Sequence, residues 1–165
     1  MIKIILKFSL AVTMVILIFG CAAGTRTTRE SQALIEPTSG VKIDKAQFGS
    51  LSISGNGSII FSESEYIPLK AGASYGWRIH LITEKDMVTW KEVFILPKPP
   101  FIWEHKNDTE ISDQGRVAIT EKTVSPRNGW IGNGWSVAEG DPPGTYVMKV
   151  YVEGALPKTF SFTVQ

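Results

Sequence analysis

Polar and apolar residues alternate along most of this chain, but its first stretch does not. Lys3 and Lys7 place positive charge at the start, and Phe8 to Phe19 is then an apolar run broken only by Ser9 and Thr13. Charge, a short greasy core and a small residue, Gly20, ahead of Cys21 is the order of an export leader. The run is shorter than the roughly 20 residues that a membrane-spanning helix needs. Ala22 to about Glu36 is small and polar with no apolar period, which predicts a tether. From Val41 onward the period is two, the mark of strands buried on one face.

Val41, Ile43, Phe48, Leu51 and Ile53 predict an extended opening segment whose phase breaks near Phe48-Gly49, read as a bulge. Ser54-Gly-Asn-Gly57 is turn material before Ser58-Ile-Ile-Phe61. Tyr75, Trp77, Ile79 and Leu81 share one face of the next segment, with Arg78 and His80 on the other. Met87 to Leu96, closed by Pro97-Lys-Pro-Pro100, and Arg116 to Val124, opened by Gly115, read as further strands. Tyr146, Met148, Val150 and Val152, then Phe160, Phe162 and Val164, alternate on either side of Glu153-Gly-Ala-Leu-Pro157, the pattern of an antiparallel hairpin. No helical period appears between Val41 and Gln165. The expected organisation is a leader at 1–20, a tether at 21–36 and an all-β domain at 37–165. That domain is an antiparallel β-sandwich, with a small β-barrel as the alternative.

Ile18-Phe19-Gly20-Cys21 resembles the lipobox of bacterial lipoproteins. The resemblance implies cleavage before Cys21, a lipid on its sulfur and a fatty acid such as palmitate on the new amine. Several acyl chains hold a protein to a membrane far more firmly than one. Ala22, in place of an aspartate, implies the periplasmic side of the outer membrane if the host has two membranes. At the other end, Asp141-Pro-Pro-Gly-Thr-Tyr146 resembles the tyrosine corner of immunoglobulin-like sandwiches. With Glu153-Gly and Phe160-Ser-Phe-Thr-Val164 it resembles the ending of short immunoglobulin-like envelope proteins whose function is unassigned. That likeness implies an immunoglobulin-like fold, with Tyr146 as the corner and Met148 where antibody domains carry their second cysteine. It also implies Trp77 as the buried tryptophan of the third strand. It brings no catalytic residue.

Charge and cysteine narrow the classes further. The chain holds 17 basic and 16 acidic residues, and loss of Lys3 and Lys7 with the leader leaves 15 against 16. So even a balance gives no electrostatic case for nucleic acid. Cys21 is the sole cysteine, so the domain has no internal disulfide and must be held by its apolar core.

Candidate catalytic chemistry is thin. His80 and His105 are far apart in sequence and no thiolate is free, which is a poor basis for zinc; no metal and no cofactor are expected. There is no Gly-x-Ser-x-Gly elbow, and Ser50, Ser52 and Ser54 alternate as an exposed polar face would. Glu63 and Glu65, two apart, read as neighbours on a solvated strand face rather than as glycosidase acids. Gly129-Trp-Ile-Gly-Asn-Gly134 has no helix behind it to cradle phosphate. An enzyme is not expected.

Two stretches suit recognition instead. Asn128-Gly-Trp-Ile-Gly-Asn-Gly-Trp135 repeats an Asn-Gly-Trp unit. In a straight strand Trp130 and Trp135 take opposite faces, one core and one displayed; a glycine bulge would turn both outward. In Pro97-Lys-Pro-Pro-Phe-Ile-Trp103 the prolines forbid pairing, and Phe101, Ile102 and Trp103 are either tucked into the core or exposed as a partner-binding patch. The expected function is a non-catalytic, lipid-anchored envelope binding or assembly module with a protein partner. The alternative is a carbohydrate- or peptidoglycan-binding domain that uses exposed tryptophans.

Overall fold

The computed structural model describes residues 40–103 and 108–165; the leader, Cys21, the tether and His105 lie outside the described residues. Within them, ten strands run in the order β1 (Val41–Ile53), β2 (Ile59–Glu63), β3 (Tyr66–Ile67), β4 (Ser74–Thr83), β5 (Val88–Ile95), β6 (Thr109–Ser112), β7 (Val117–Val124), β8 (Trp130–Ser136), β9 (Gly144–Val152) and β10 (Lys158–Val164). One short 3-10 turn, Asp113–Gly115, joins β6 to β7. A four-stranded sheet has the order β2-β1-β4-β8, and a six-stranded sheet the order β3-β10-β9-β5-β7-β6. Pairing is antiparallel except where β3 lies parallel to β10. The two sheets face one another and neither closes on itself, so the domain is a sandwich and the barrel alternative is wrong.

The period-two pattern sets this arrangement. Tyr75, Trp77, Ile79 and Leu81 of β4 point inward, as do Val88, Trp90 and Phe94 of β5, Tyr146, Met148, Val150 and Val152 of β9, and Phe162 and Val164 of β10. Aromatic rings join the sheets: Phe48 stacks on Phe162 at 4.1 Å, and Phe94 packs against Trp135 at 5.2 Å. Pairs of this kind contribute about 0.5–1.5 kcal/mol each beyond simple burial. The tyrosine corner is formed, with the Tyr146 hydroxyl donating to the Pro142 carbonyl at 2.7 Å.

Three expectations change. The bulge in β1 falls at Asp44, where the register against β4 slips between Ile43 and Lys45, not at Phe48-Gly49. The slip moves the inward set from Val41 and Ile43 to Ala46 and Phe48. Gly49 serves close approach: it pairs with Gly76, and a Cβ on either would overlap a neighbouring backbone carbonyl, that of Ser62 or Asn133. Glu63 and Glu65 do not share a strand face, because β2 ends at Glu63 and the chain then crosses to the other sheet. Finally, Trp77 lies on β4 in the four-stranded sheet. The tyrosine-corner strand β9 lies between its hairpin partner β10 and β5, and the tryptophan of β5 is Trp90. The two indoles meet edge to face across the interior, 5.2 Å apart at 88°.

The sandwich has two distinct ends. Val41, Thr83, Val88 and Val152 mark the end at which Gly40 enters. Ser74, Ser136, Gly144 and Val164 mark the other, where the loops after β5 and β8 gather.

Candidate functional site

The loop-rich end holds a cleft that the sequence of two loops builds. After β5, Leu96 is still buried, but Pro97, Pro99 and Pro100 cannot continue a ladder and lead the chain off the sheet. Trp103 brings it back. Its indole Nε1 donates to the Gly115 carbonyl at 2.6 Å, and its ring packs edge-on against Phe94 at 6.2 Å and Trp135 at 6.0 Å. Phe101 and Ile102, held between the prolines and this anchor, are 89% and 65% exposed. Phe101 crosses over Gly140, whose positive φ of 86° and lack of a side chain permit the approach; a Cβ there would lie 2.7 Å from the Phe101 Cβ.

Between these loops lies a cleft of about 400 Å³ lined by Tyr75, Phe94, Ile102, Trp103, Trp135 and Asp141, among others. Its walls are aromatic, and its polar groups are few but poorly satisfied. Asp141 Oδ2 accepts the Ala138 N–H at 2.8 Å. Among the described residues no cation pairs with Asp141, and burial raises its pKa above the ordinary carboxylate value. Tyr75 is 2% exposed, and its hydroxyl has no hydrogen-bond partner among the described residues. Burial, helped by the nearby Tyr146 and Asp141, pushes that hydroxyl well above the usual phenol range.

Behind the cleft sits a buried carboxyl group. Glu92, 0% exposed, projects inward from β5 between Trp90 and Phe94. Its Oε1 accepts from Trp135 Nε1 at 2.8 Å, its Oε2 from Trp77 Nε1, and Asn133 Nδ2 stands 3.3 Å from both oxygens. The group thus bridges the six-stranded sheet to β4 and β8 of the other. It also draws the Trp135 N–H toward the interior while Trp103 spends its own on Gly115, so the cleft meets ring carbon rather than indole N–H.

Trp130 and Trp135 behave as they would in a straight strand. Trp135 is 8% exposed, and its ring belongs to the core and the cleft floor. Trp130 lies half-buried on the outer face of the four-stranded sheet. There the Arg78 guanidinium sits 4.8 Å from its ring and 4.1 Å from that of Phe61. His80 packs beside Trp130 at 5.0 Å, and its Nδ1 lies 2.9 Å from Asp44 Oδ2. Of the four recognition candidates, Phe101, Trp103 and Trp135 are brought together and Trp130 is not. Sequence reasoning missed Asp141, Tyr75 and Glu92 as polar groups of this end. Glu92 had a signal: it is the one acid in the run of inward positions Val88, Trp90, Phe94 and Leu96.

Comparison with known proteins addresses the fold. Among solved structures, an immunoglobulin-like protein from Pseudomonas aeruginosa matches with a TM-score of 0.51 at 16% identity, over 76% of this chain and 96% of that one. The alkylpurine DNA glycosylase AlkC from Pseudomonas fluorescens, bound to DNA containing an abasic site analog, matches at 0.42 and 14%, over 77% of this chain but only 31% of its own. A human F-spondin reeler domain matches at 0.36 and 16%, over 72% and 89%. The first likeness shows an immunoglobulin-like fold and nothing about activity. No curated protein matches the sequence. A family model described as PM0630 beta sandwich domain matches residues 46–165.

Proposed function

Because the chain belongs to the PM0630 beta sandwich domain family, which supplies a fold and no chemistry, we propose its role from its own residues. It is a non-catalytic binding or assembly module of a bacterial envelope, held to the membrane by lipid on Cys21, and its loop-rich end engages a protein partner. One observation carries the partner: Phe101 and Ile102 stand side by side at 89% and 65% exposed, on a loop fixed at its base by Trp103. Large apolar side chains on a rigid base, next to an aromatic cleft, suit an anchor for another protein. The glycan alternative is less well supported. Trp135 offers little free ring, and one face of Trp130 already meets Arg78.

Two measurements test this. Metabolic labelling with a clickable palmitate analogue should mark the native protein and place it in the membrane fraction, and Cys21→Ser should lose both; an unlabelled native protein defeats the anchor. A photo-crosslinker at position 102 in living cells should yield one defined adduct that Phe101→Ser abolishes without lowering the melting temperature. Absence of any adduct defeats the protein partner.

A further inference from the structure

We propose that the cleft between the 97–103 and 137–143 loops is a receptor for a primary ammonium, the side chain of a lysine presented by the protein partner. The inference rests on the protein-partner reading above and adds the chemistry of what is bound.

Two independent observations converge. Asp141 lines the cleft with one carboxylate oxygen committed to Ala138 N–H, and no cation of the described residues answers its charge. Tyr75 lines it too, 2% exposed, with a hydroxyl that has no partner. Neither oxygen is sealed from solvent, since Trp90 Nε1 is the one buried side-chain polar atom without a partner among the described residues; both line the cleft, where a donor can replace water on them. The remaining walls choose among donors. Phe94, Trp103 and Trp135 present ring surface, because Trp103 Nε1 is spent on Gly115 and Trp135 Nε1 on Glu92. Aromatic surface favours an alkyl stem and a cation over an anion or a neutral amide. An ammonium has three donors, enough for Asp141 Oδ1 and Tyr75 Oη together, and a lysine stem carries it at the end of four methylenes. The cleft, about 400 Å³, admits such a chain, and Ile102 stands at its rim to meet the partner's backbone side.

The probe is a blocked tripeptide, Ac-Gly-Lys-Gly-NH2, beside its norleucine counterpart, which keeps the stem and lacks the charge. Each is titrated into the full chain in detergent, with the Trp103 and Trp135 indole N–H signals read by NMR. The lysine peptide should shift both signals, and at least tenfold more of the norleucine peptide should be needed for the same effect. Asp141→Asn can still accept from Ala138 N–H and should lower lysine affinity to the norleucine level, and Tyr75→Phe should weaken it by a smaller factor. Equal binding of the two peptides, no shift with lysine, or unchanged lysine affinity in Asp141→Asn overturns the proposal. If that variant does not fold, the comparison of peptides and Tyr75→Phe decide it. The crosslinking experiment separates the two readings. An adduct that persists in Asp141→Asn, with no lysine binding, removes the ammonium and keeps the partner; lysine binding without any adduct does the reverse.

Discussion

Trp135 Nε1 donates to Glu92 Oε1 at 2.8 Å, tying β8 of one sheet to β5 of the other through a group that is wholly buried. Trp77 uses the second oxygen from β4. Replacing Glu92 with Gln sets an amide N–H₂ against an indole N–H, donor facing donor. We expect Glu92→Gln to cost about 1–3 kcal/mol, the penalty of leaving a buried donor unsatisfied. Glu92→Leu, which strands both indoles, should cost at least as much. Urea unfolding followed by tryptophan fluorescence measures both, and a variant as stable as the parent would show that the bonds carry no net stability.

Tyr146 closes the corner by donating to Pro142. The ring of Tyr146→Phe still packs on Phe94 and Phe162, so only the hydrogen bond is lost. The expected cost is about 1 kcal/mol. Chemical denaturation reads it directly, and a neutral result would assign the corner's stability to ring packing alone.

Asp141 is predicted to weaken the fold that carries it. Burial raises its folded pKa above the unfolded value of 3.8, so the folded state holds the proton more tightly. Stability therefore falls as pH rises from the unfolded pKa through the folded one, and stays lower above it. Asp141→Asn escapes that loss. Its melting temperature should exceed the parent's at pH 7, and the gap should close as pH falls below about 3.8. A lower melting temperature at pH 7 would contradict this. A residue kept at a cost to stability is the pattern expected of a binding group.

Glu153 has the opposite sign. Lys85 Nζ at 2.7 Å, and then the Thr89 N–H at 2.9 Å, hold its carboxyl below the ordinary value of 4.5. Its contribution is present above pH 4.5 and is lost as pH falls through the lowered folded pKa. Glu153→Gln should be less stable than the parent at neutral pH and match it in strong acid. Melting curves between pH 2 and 7 test this. Salt should shrink part of the difference, because Lys85 is partly exposed.

The sequence made the interior legible wherever one face of a strand is dry. Tyr75, Trp77, Ile79 and Leu81, and again Tyr146, Met148, Val150 and Val152, alternate because a half-buried strand must, and all eight are buried. The bulge was misplaced for a physical reason. A glycine in a strand can mark either a bulge or a tight strand approach, and Gly49 is the second kind, while the slip at Asp44 leaves only a shift of apolar phase. The barrel could not be dismissed from pattern alone, since alternation records which face is inward and not which sheet a strand joins. The run Phe101-Ile102-Trp103 is uniformly apolar and so reads as one unit, but the loop divides it, with Trp103 anchored and its neighbours out. Asp141 and Tyr75 line one cleft from 66 positions apart in sequence, and no local periodicity carries a juxtaposition of that kind.

Met148 fills the interior of β9 at 0% exposure, at the position where antibody domains place a half-cystine. No covalent link joins the sheets of the described residues, so thiol reductants should leave the folded domain intact. Its folding needs no oxidoreductase and no isomerase for mispaired sulfurs, and the domain should fold as well under reducing as under oxidising conditions.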